Sequence, residues 1–349
     1  MNKKIFFDLS NILGISGDEN DVYSYLKKSM PDAEISSDKL GSFIAKMGNT
    51  NENLKVLFAA HMDEVGFVVS DITKNGFLKI LPIGGWFIPT AIGNKVVVKG
   101  KTNNFVGIIA SKPPHLLSPE ERKKEITIDD IFLDVGAKSD KEVKNKMKIY
   151  PNAPVIPYPD CGYFNKKNLL YGKAWDDRLG CAGLIYIYNF LVKNKVDKNV
   201  FLVGTVQEEV GIRGAKTATY TVNPDVAIVL EVSVAKDVAK EEDSPVKLGN
   251  GLTFDFYDRT MLANRQLLDF AIELCEKYKI RYHLGYSKRG GTDGGNIHLS
   301  FSGIPTIVIG IPTRYIHSFY SVFDYNDFKE LQKFVEVFLR NISKEILEK

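Results

Sequence analysis

Four short apolar runs, separated by segments with helical patterning, constrain the fold of this chain more than any other feature. Continuous apolar runs of this length are typical of strands that are buried on both faces of a sheet. They lie at residues 55–60, 199–205, 225–230 and 305–309. Amphipathic segments alternate with them at 179–192, 265–279 and 327–347. The pattern predicts an α/β fold in which helices cover both faces of a mixed sheet.

A different texture separates the first run from the other three. Between residues 66 and 165, short β-like runs alternate with turn residues that punctuate them, namely Gly84-Gly85, Pro113-Pro114 and the prolines Pro151, Pro154, Pro157 and Pro159. This texture predicts a small β-rich, barrel-like domain inserted into the chain. Residues 1–65 and 166–349 would then form one discontinuous domain. Ahead of the insertion, Ser16-Gly-Asp-Glu19 matches a capping box and predicts the start of a helix.

Composition excludes several classes of partner. The chain has 349 residues, with 46 Lys and Arg against 43 Asp and Glu, and this net charge of +3 gives no support for a nucleic-acid partner. No apolar stretch is long enough to span a membrane. The three cysteines are few and odd in number, which argues against a disulfide scaffold and favours a reducing cytoplasm.

Polar residues follow the apolar runs. The predicted strands are followed by His61-Met-Asp63-Glu64, Gln207-Glu-Glu209, Glu231 and, across a loop, His317, while Asp176-Asp177 precede the helical segment at 179–192. Because the carboxyl ends of parallel strands share one edge of a sheet, these side chains are expected to converge. Imidazole and carboxylate ligands suit zinc, cobalt or manganese, and the absence of thiolate ligands argues against a closed structural zinc site.

The number of these residues also fits two ions. A metal pair needs one bridging carboxylate and two further protein ligands on each ion. His61, Asp176, Glu209, Glu231 and His317 would supply them, although the pattern leaves open whether Asp176 or Asp177 forms the bridge. Glu208 would remain as a general base, and Asp63 could accept the second ring N–H of His61. Each residue alone is better explained as a loop acid, a helix cap or a structural histidine; only the set predicts a site.

Several segments resemble the M42 metallo-aminopeptidases, the group of glutamyl and tetrahedral aminopeptidases. They are His61–Glu64, Asp176–Gly180, Glu208–Ala215, Gly290–Gly295 and Ile311–Ser318. The resemblance covers nearly the whole chain and includes Ile15–Gly17 and Lys112–Leu117. Several long motifs in the family's order are far more specific than any one of them.

The resemblance implies a di-zinc exopeptidase-like domain that carries an inserted β domain for oligomerisation. It implies two divalent ions, zinc or cobalt with manganese as an alternative, bridged by Asp176. His61 and Glu231 would complete one ion site, and Glu209 and His317 the other. Glu208 corresponds to the family's general base and Asp63 to its supporting acid. Short peptides would be the substrates, and dimers would assemble into dodecamers.

One position departs from the family's usual pattern. The family usually has Asp where this chain has Glu231, which is one methylene longer but offers the same oxygen ligands, so the site is expected to survive. Asp237 is an alternative ligand. Arg289 and Asp293 are expected to line or support the substrate pocket.

The sequence therefore predicts a metal-dependent aminopeptidase. Another metal-dependent amidohydrolase, such as a deacylase, would use the same chemistry. A non-catalytic assembly protein that keeps the fold is the third possibility, and Glu231 is the feature in its favour. A glycosidase is disfavoured, because glycosidases need two positioned carboxylates and have no requirement for the histidines.

Overall fold

The computed structural model describes residues 2–48, 54–196, 198–239 and 244–347. Its helices are α1 (Lys4–Asn11), α2 (Asn20–Ser29), α3 (Asp140–Glu142), α4 (Trp175–Asn194), α5 (Arg213–Val222), α6 (Arg265–Tyr278), α7 (Gly294–Ile297) and α8 (Tyr325–Asn341). Within these ranges, no helix combines the length and the apolar character needed to cross a bilayer.

Seventeen strands lie in the described ranges. They are β1 (Glu34–Ser37), β2 (Phe43–Met47), β3 (Lys55–His61), β4 (Gly66–Ile72), β5 (Leu78–Ile83), β6 (Lys95–Lys99), β7 (Asn104–Ser111), β8 (Ile131–Asp134), β9 (Pro154–Pro157), β10 (Gly162–Tyr163), β11 (Leu169–Gly172), β12 (Asn199–Thr205), β13 (Val226–Val234), β14 (Leu252–Tyr257), β15 (Tyr282–Tyr286), β16 (Thr306–Arg314) and β17 (Ser321–Asp324). They form one large sheet and one closed barrel.

The large sheet is mixed, as predicted. Its main path runs β1-β2-β12-β3-β13-β16-β17-β11-β10, and β14 pairs with both β16 and β15. The four strands at its centre, β12, β3, β13 and β16, are parallel to one another. Their carboxyl ends therefore lie along the same edge.

Each central strand contributes side chains to two separate cores. Val56, Phe58 and Ala60 of β3 pack on the side of α1, α2, α4, α6 and α8. The alternate residues Leu57 and Ala59 pack on the side of α5 and α7. This alternation explains why the strand is apolar without interruption, because both of its faces are covered by helices.

The barrel is an insertion between β3 and the later strands of the sheet. Its strands close in the order β4-β5-β8-β7-β6-β9 and surround their own apolar core. They span residues 66–157, whereas Gly162–Tyr163 already pairs with β11 of the large sheet. Phe319, from the loop between β16 and β17, is buried in the barrel core, so the two parts share a packed interface.

The last helix is shorter than the periodicity predicts. α8 ends at Asn341, and Ile342 adopts an extended conformation that breaks the helix. A short 3₁₀ turn at Lys344–Ile346 follows. The apolar side chain of Ile342 still packs in the core of the large sheet, which explains why it continues the helical pattern in the sequence.

Candidate metal centre

Five side chains from separate segments meet at the carboxyl edge of the central strands. They are His61, Asp176, Glu209, Glu231 and His317. His61 ends β3, and His317 lies in the loop between β16 and β17. Glu231 lies inside β13, which continues to Val234 and so extends beyond the predicted strand end. This edge is where α/β folds place their ligand sites.

The five residues form two groups that share Asp176. In the first ligand group, His61 Nε2 lies 3.0 Å from Asp176 Oδ1 and 3.8 Å from Glu231 Oε1. In the second ligand group, His317 Nε2 lies 3.4 Å from Asp176 Oδ2 and 3.6 Å from Glu209 Oε2. Within each group the ligand atoms all lie within 4.8 Å of one another, close enough to hold one ion.

Both histidines are oriented so that Nε2 faces the carboxylates. His61 donates its Nδ1 hydrogen to the backbone carbonyl of Asp63 at 2.9 Å, and His317 donates its Nδ1 hydrogen to the carbonyl of Gly85 at 2.9 Å. These bonds leave Nε2 of each neutral ring as a lone-pair donor. Metal-binding histidines are held in this way by a partner on the second nitrogen, so both rings fit a metal site.

Asp63 supports the site differently from the prediction. The His61 ring bonds to its backbone carbonyl, while the nearer carboxylate oxygen lies 3.6 Å from Nδ1. The buried carboxylate instead accepts the backbone N–H groups of Glu208 at 3.0 Å and Glu209 at 3.1 Å. It also accepts the Ser16 hydroxyl at 2.6 Å. Asp63 therefore ties the segment that follows β12 to the end of β3.

The two neighbouring aspartates at the start of α4 have separate contacts. Asp176 and Asp177 have non-helical backbone angles, and Asp176 faces both histidines. The side chain of Asp177 is buried and accepts the backbone N–H of Gly180 at 2.8 Å and that of His61 at 3.2 Å. Asp176 alone of the pair therefore joins the two ligand groups.

Burial and mutual repulsion shift the protonation of the carboxylates. Burial raises the pKa of Glu209 to about 8, and the Asp176 carboxylate adds to this rise. Burial also raises the pKa of Glu231 well above its usual value. Burial alone would lower the pKa of His317, but the hydrogen bond to Asp176, the charges of Glu209 and Asp176 and the bond to Gly85 together outweigh burial and raise that pKa to about 10. Protons thus offset part of the mutual repulsion of the buried carboxylates. Bound divalent cations would offset the same repulsion, which fits a metal site.

Glu208 differs from its neighbour Glu209. Its carboxylate has no hydrogen bond or ion pair with the part of the chain that the structure describes, and the residue is half-buried. Burial raises its pKa well above the usual value, and the nearby acids Asp293 and Glu209 contribute to the rise. Such a carboxylate is available to exchange a proton with a molecule in the site.

A fully buried arginine anchors the segments beneath the site. The five N–H bonds of the Arg178 guanidinium are directed at the backbone carbonyls of Met62, Leu9, Ile12 and Gly14 and at the carboxylate of Glu64. The same carboxylate also pairs with the buried ammonium of Lys173. Burial lowers the pKa of Lys173 to about 8. This network connects the loop after α1 to the segment that carries His61.

A model of the family described as M42 glutamyl aminopeptidase matches residues 41–334. The chain belongs to the M42 peptidase family. It is 32% identical over 343 residues to the glutamyl aminopeptidase of Lactococcus lactis, and the match covers 97% of this chain and 95% of that protein.

Solved structures agree with the family assignment. The TET aminopeptidase of a marine-sediment Thaumarchaeota archaeon is 37% identical, with a TM-score of 0.95 over 99% of this chain and 98% of that one. The TET1 peptidase of Pyrococcus horikoshii is 28% identical, with a TM-score of 0.86 over 97% of this chain and 99% of that one. Its structure was described as assembling into a tetrahedron or a large octahedral shell.

As a member of the M42 peptidase family, the chain is a peptide hydrolase. The family is metal-dependent, and the two ligand groups supply histidine and carboxylate donors of the kind that divalent metals bind. The shared Asp176 oxygens face one group each, which is the arrangement that a bridging carboxylate needs.

The other three acidic or basic candidates lie outside the two ligand groups of this M42 peptidase. Asp293 is buried, and one of its oxygens accepts the Thr205 hydroxyl at the end of β12. Arg289 is exposed on the loop that precedes it. Asp237, the alternative ligand, forms a two-bond ion pair with Arg314.

Three supporting contacts were not predicted. The capping-box prediction for Ser16 to Glu19 was wrong, because Ser16 donates to Asp63 and α2 begins without a side-chain cap. Glu19 instead accepts the backbone N–H groups of Gly17 at 2.8 Å and Gln207 at 3.0 Å. The Gly85 carbonyl was also missed, because a backbone group carries no side-chain signal. The Ile15–Gly17 part of the family resemblance was the available clue to the first contact.

Proposed function

We propose that this M42 peptidase is an aminopeptidase that uses two divalent ions, zinc or cobalt, with manganese as an alternative. The observation that carries the proposal is the pair of ligand groups that share Asp176. His61 and Glu231 would complete the site of one ion, and Glu209 and His317 that of the other. The additional methylene of Glu231 does not keep its carboxylate from the group, because Oε1 lies 3.8 Å from His61 Nε2.

The reaction adds one water across the peptide bond that follows the first residue. Ions in such sites polarise the scissile carbonyl and lower the pKa of the attacking water. Glu208 would take the proton from this water and deliver it to the leaving amine, because its carboxylate has no competing partner among the described residues. Asp63 would hold Glu208 in place through the backbone N–H bond at 3.0 Å.

The restriction to chain ends would follow from recognition of the free amine. A free α-amino group would bind one of the ions through its nitrogen lone pair, or pair with a nearby carboxylate. An acylated amine offers neither a basic lone pair nor a charge and would be bound less well. A small cavity beside Val65 and Pro157, with room for about one water molecule, borders Asp176, Glu209 and His317. Short peptides would be the substrates.

We further propose that residues 66–165 serve oligomerisation, whereas residues 1–65 and 166–349 carry catalysis. The barrel exposes large apolar side chains, namely Leu81, Phe87, Val106, Ile108 and Leu116, each about half exposed or more. Val106 and Ile108 share the exposed face of β7, and such an adjacent pair of exposed apolar side chains supports an interaction surface. A dimer on each edge of a tetrahedron, the shape described for the Pyrococcus horikoshii relative, would give a dodecamer.

The cytoplasm is the compartment that we propose. Cys161, Cys181 and Cys275 are all free thiols, which suits a reducing environment.

Hydrolysis of aminoacyl-p-nitroanilides tests the proposed activity. A panel with Glu, Asp, Leu, Lys and Ala, together with acetyl-Leu, would be assayed with cobalt or zinc and again after chelation. Metal-dependent cleavage of free but not of acetylated substrates is expected. Release of acetate from acetyl-Leu-p-nitroanilide, with no release of p-nitroaniline from the free substrates, would indicate a deacylase. No cleavage with no bound metal would indicate a non-catalytic assembly protein.

A further inference from the structure

One loop of the barrel reaches into the second ligand group. The loop follows β5, and its Gly85 carbonyl accepts the Nδ1 hydrogen of His317 at 2.9 Å. Gly84 has a φ of +77°, and a Cβ there would lie 2.6 Å from Val65 Cγ1 and 3.1 Å from Glu209 Oε2. At Gly84 the backbone therefore approaches Val65 and the ligand candidate Glu209 at a distance and in a conformation that favour glycine.

His317 needs this support more than the other members of the two groups. Its side chain is 36% exposed, whereas those of His61, Asp176, Glu209 and Glu231 are 14% exposed or less. It lies in a loop with a positive φ of 54°, outside regular structure. Among the described residues, the Gly85 carbonyl is the group that bonds to the Nδ1 side of its ring.

Trp86 packs against both parts of the molecule that meet at the hydrogen bond between Gly85 and His317. Its indole N–H donates to the carbonyl of Gly66 at 3.0 Å, and its ring stacks on Phe67 with centroids 4.8 Å apart. The ring also lies 5.2 Å from that of Phe319, two residues after His317. Trp86 thus fixes the position of its neighbour Gly85 and packs against the loop that carries His317.

We propose that Trp86 is a positioning residue for His317 and acts through the Gly85 carbonyl. The hydrogen bond on one imidazole nitrogen sets the tautomer and the direction of the other. The barrel therefore completes the second ligand group, whereas the first group is built from β3, β13 and α4 alone. The inference rests on the proposed function, because it requires an ion in each group.

Cobalt titration of the full chain tests this inference without reference to activity. Binding would be followed by calorimetry and by the visible absorption of bound Co²⁺ for the unmodified chain, Trp86→Leu, Trp86→Phe and Gly85→Ala. Loss of such a support weakens metal binding by about 10–100-fold. Trp86→Leu should weaken the binding of one ion by that factor and leave the other unchanged. Trp86→Phe, which keeps the ring but lacks the N–H, should show a smaller loss.

Gly85→Ala and Phe132→Leu complete the design. A Cβ on Gly85 would lie 3.3 Å from His317 Nδ1, so this substitution should displace the ring directly and reproduce the loss at one ion. It also keeps the inference testable if Trp86→Leu does not fold. Phe132→Leu is the matched control, because Phe132 pairs with Phe77 elsewhere in the barrel and should leave both ions unaffected.

Two results would overturn the role of Trp86. In the first, Trp86→Leu binds each ion as tightly as the unmodified chain does. In the second, Trp86→Leu weakens the binding of both ions by the same factor. Binding of fewer than two ions by the unmodified chain is a different result, because it contradicts the proposed two-ion function itself.

Discussion

The backbone N–H of Glu208 donates to the buried carboxylate of Asp63 at 3.0 Å. This bond joins the segment after β12 to the end of β3, the two neighbouring parallel strands that carry the proposed base and the first histidine. Glu209 donates to the other oxygen of the same carboxylate at 3.1 Å. One side chain therefore sets the position of both the base and a metal-ligand candidate.

Substitution of Asp63 by Asn should lower kcat more than it changes KM. The amide offers one acceptor oxygen where the carboxylate offers two, so one of the two backbone N–H groups loses its partner, at a cost of about 1–3 kcal/mol. Steady-state kinetics would measure the effect. Ser16→Ala is the control, because it removes the hydroxyl from Asp63 but leaves both N–H bonds in place. A larger effect of Ser16→Ala than of Asp63→Asn would contradict this role.

Substitution of Glu208 by Gln should remove most turnover and leave metal binding intact. The amide cannot accept the proton from water, and general-base catalysis contributes about 10²–10⁴-fold to rates of this kind. Kinetics and metal analysis on the same sample would separate the two properties. Glu273→Gln, at an exposed position on α6, is the matched control. Turnover by Glu208→Gln at the rate of the unmodified chain would exclude Glu208 as the base.

Substitution of Arg178 by Lys should destabilise the fold. The ammonium has three N–H donors against five, so at least two of the buried acceptors lose their donor, at a cost of about 1–3 kcal/mol each. Urea unfolding followed by circular dichroism would measure the free energy of unfolding. Arg265→Lys changes the same residue type at a 94% exposed side chain and should have little effect. Equal stability of the two variants would show that the Arg178 network contributes nothing.

Asp327, at the start of α8, should make stability fall as pH rises. Burial raises its pKa to about 7, and the nearby Asp324 adds to the rise, although the N–H groups of Gly249 and Gly251 and the charge of Arg281 oppose it. The unfolded chain has a pKa of about 3.9 for Asp, so the folded state binds more protons between these values. The contribution of Asp327 is therefore most favourable below pH 4 and is lost as pH rises to about 7.

Asp327→Asn isolates this effect. The difference in unfolding free energy between the unmodified chain and Asp327→Asn should shift in favour of Asn between pH 5 and pH 7.5. Asp269→Asn, at an exposed position of α6, should show no such shift. A difference that stays constant with pH would show that Asp327 titrates alike in both states.

The centre of the sheet could be predicted because its strands have a strong local signal. Each of β3, β12, β13 and β16 is covered on both faces, so the sequence is apolar throughout. The edge strands lack this signal: β1 reads Glu34–Ser37 and is mostly exposed. α5 was missed because its buried face consists largely of small residues, Gly214, Ala215, Ala218 and Thr219, and lacks the large apolar side chains that marked α6 and α8 in the sequence.

The barrel shows how proline conceals a strand. β9 begins and ends with proline, at Pro154 and Pro157, and the sequence was interpreted there as punctuation between strands. In the structure, this segment pairs with both β4 and β6 and closes the barrel. Proline is tolerated at the ends of a strand, where the missing N–H does not interrupt the ladder.

The candidate site also has a part that the sequence predicted and a part that it did not. The five ligand candidates follow strong strand signals or, for Asp176, precede a helix signal, so the sequence indicated that they converge. The Gly85 carbonyl comes from a loop of the barrel, more than two hundred residues from His317 in the sequence. Its position depends on how the barrel packs against the large sheet, which no local pattern encodes.

Cobalt titration of Asp176→Asn tests the central claim most directly, because Asp176 is the residue that the two ligand groups share. The account predicts that the unmodified chain binds two Co²⁺ ions and that Asp176→Asn weakens the binding of both. It also predicts that Asp177→Asn, whose side chain bonds to Gly180 and His61 backbone groups, still binds two. Loss of only one ion in Asp176→Asn, or a single ion in the unmodified chain, would contradict the shared carboxylate.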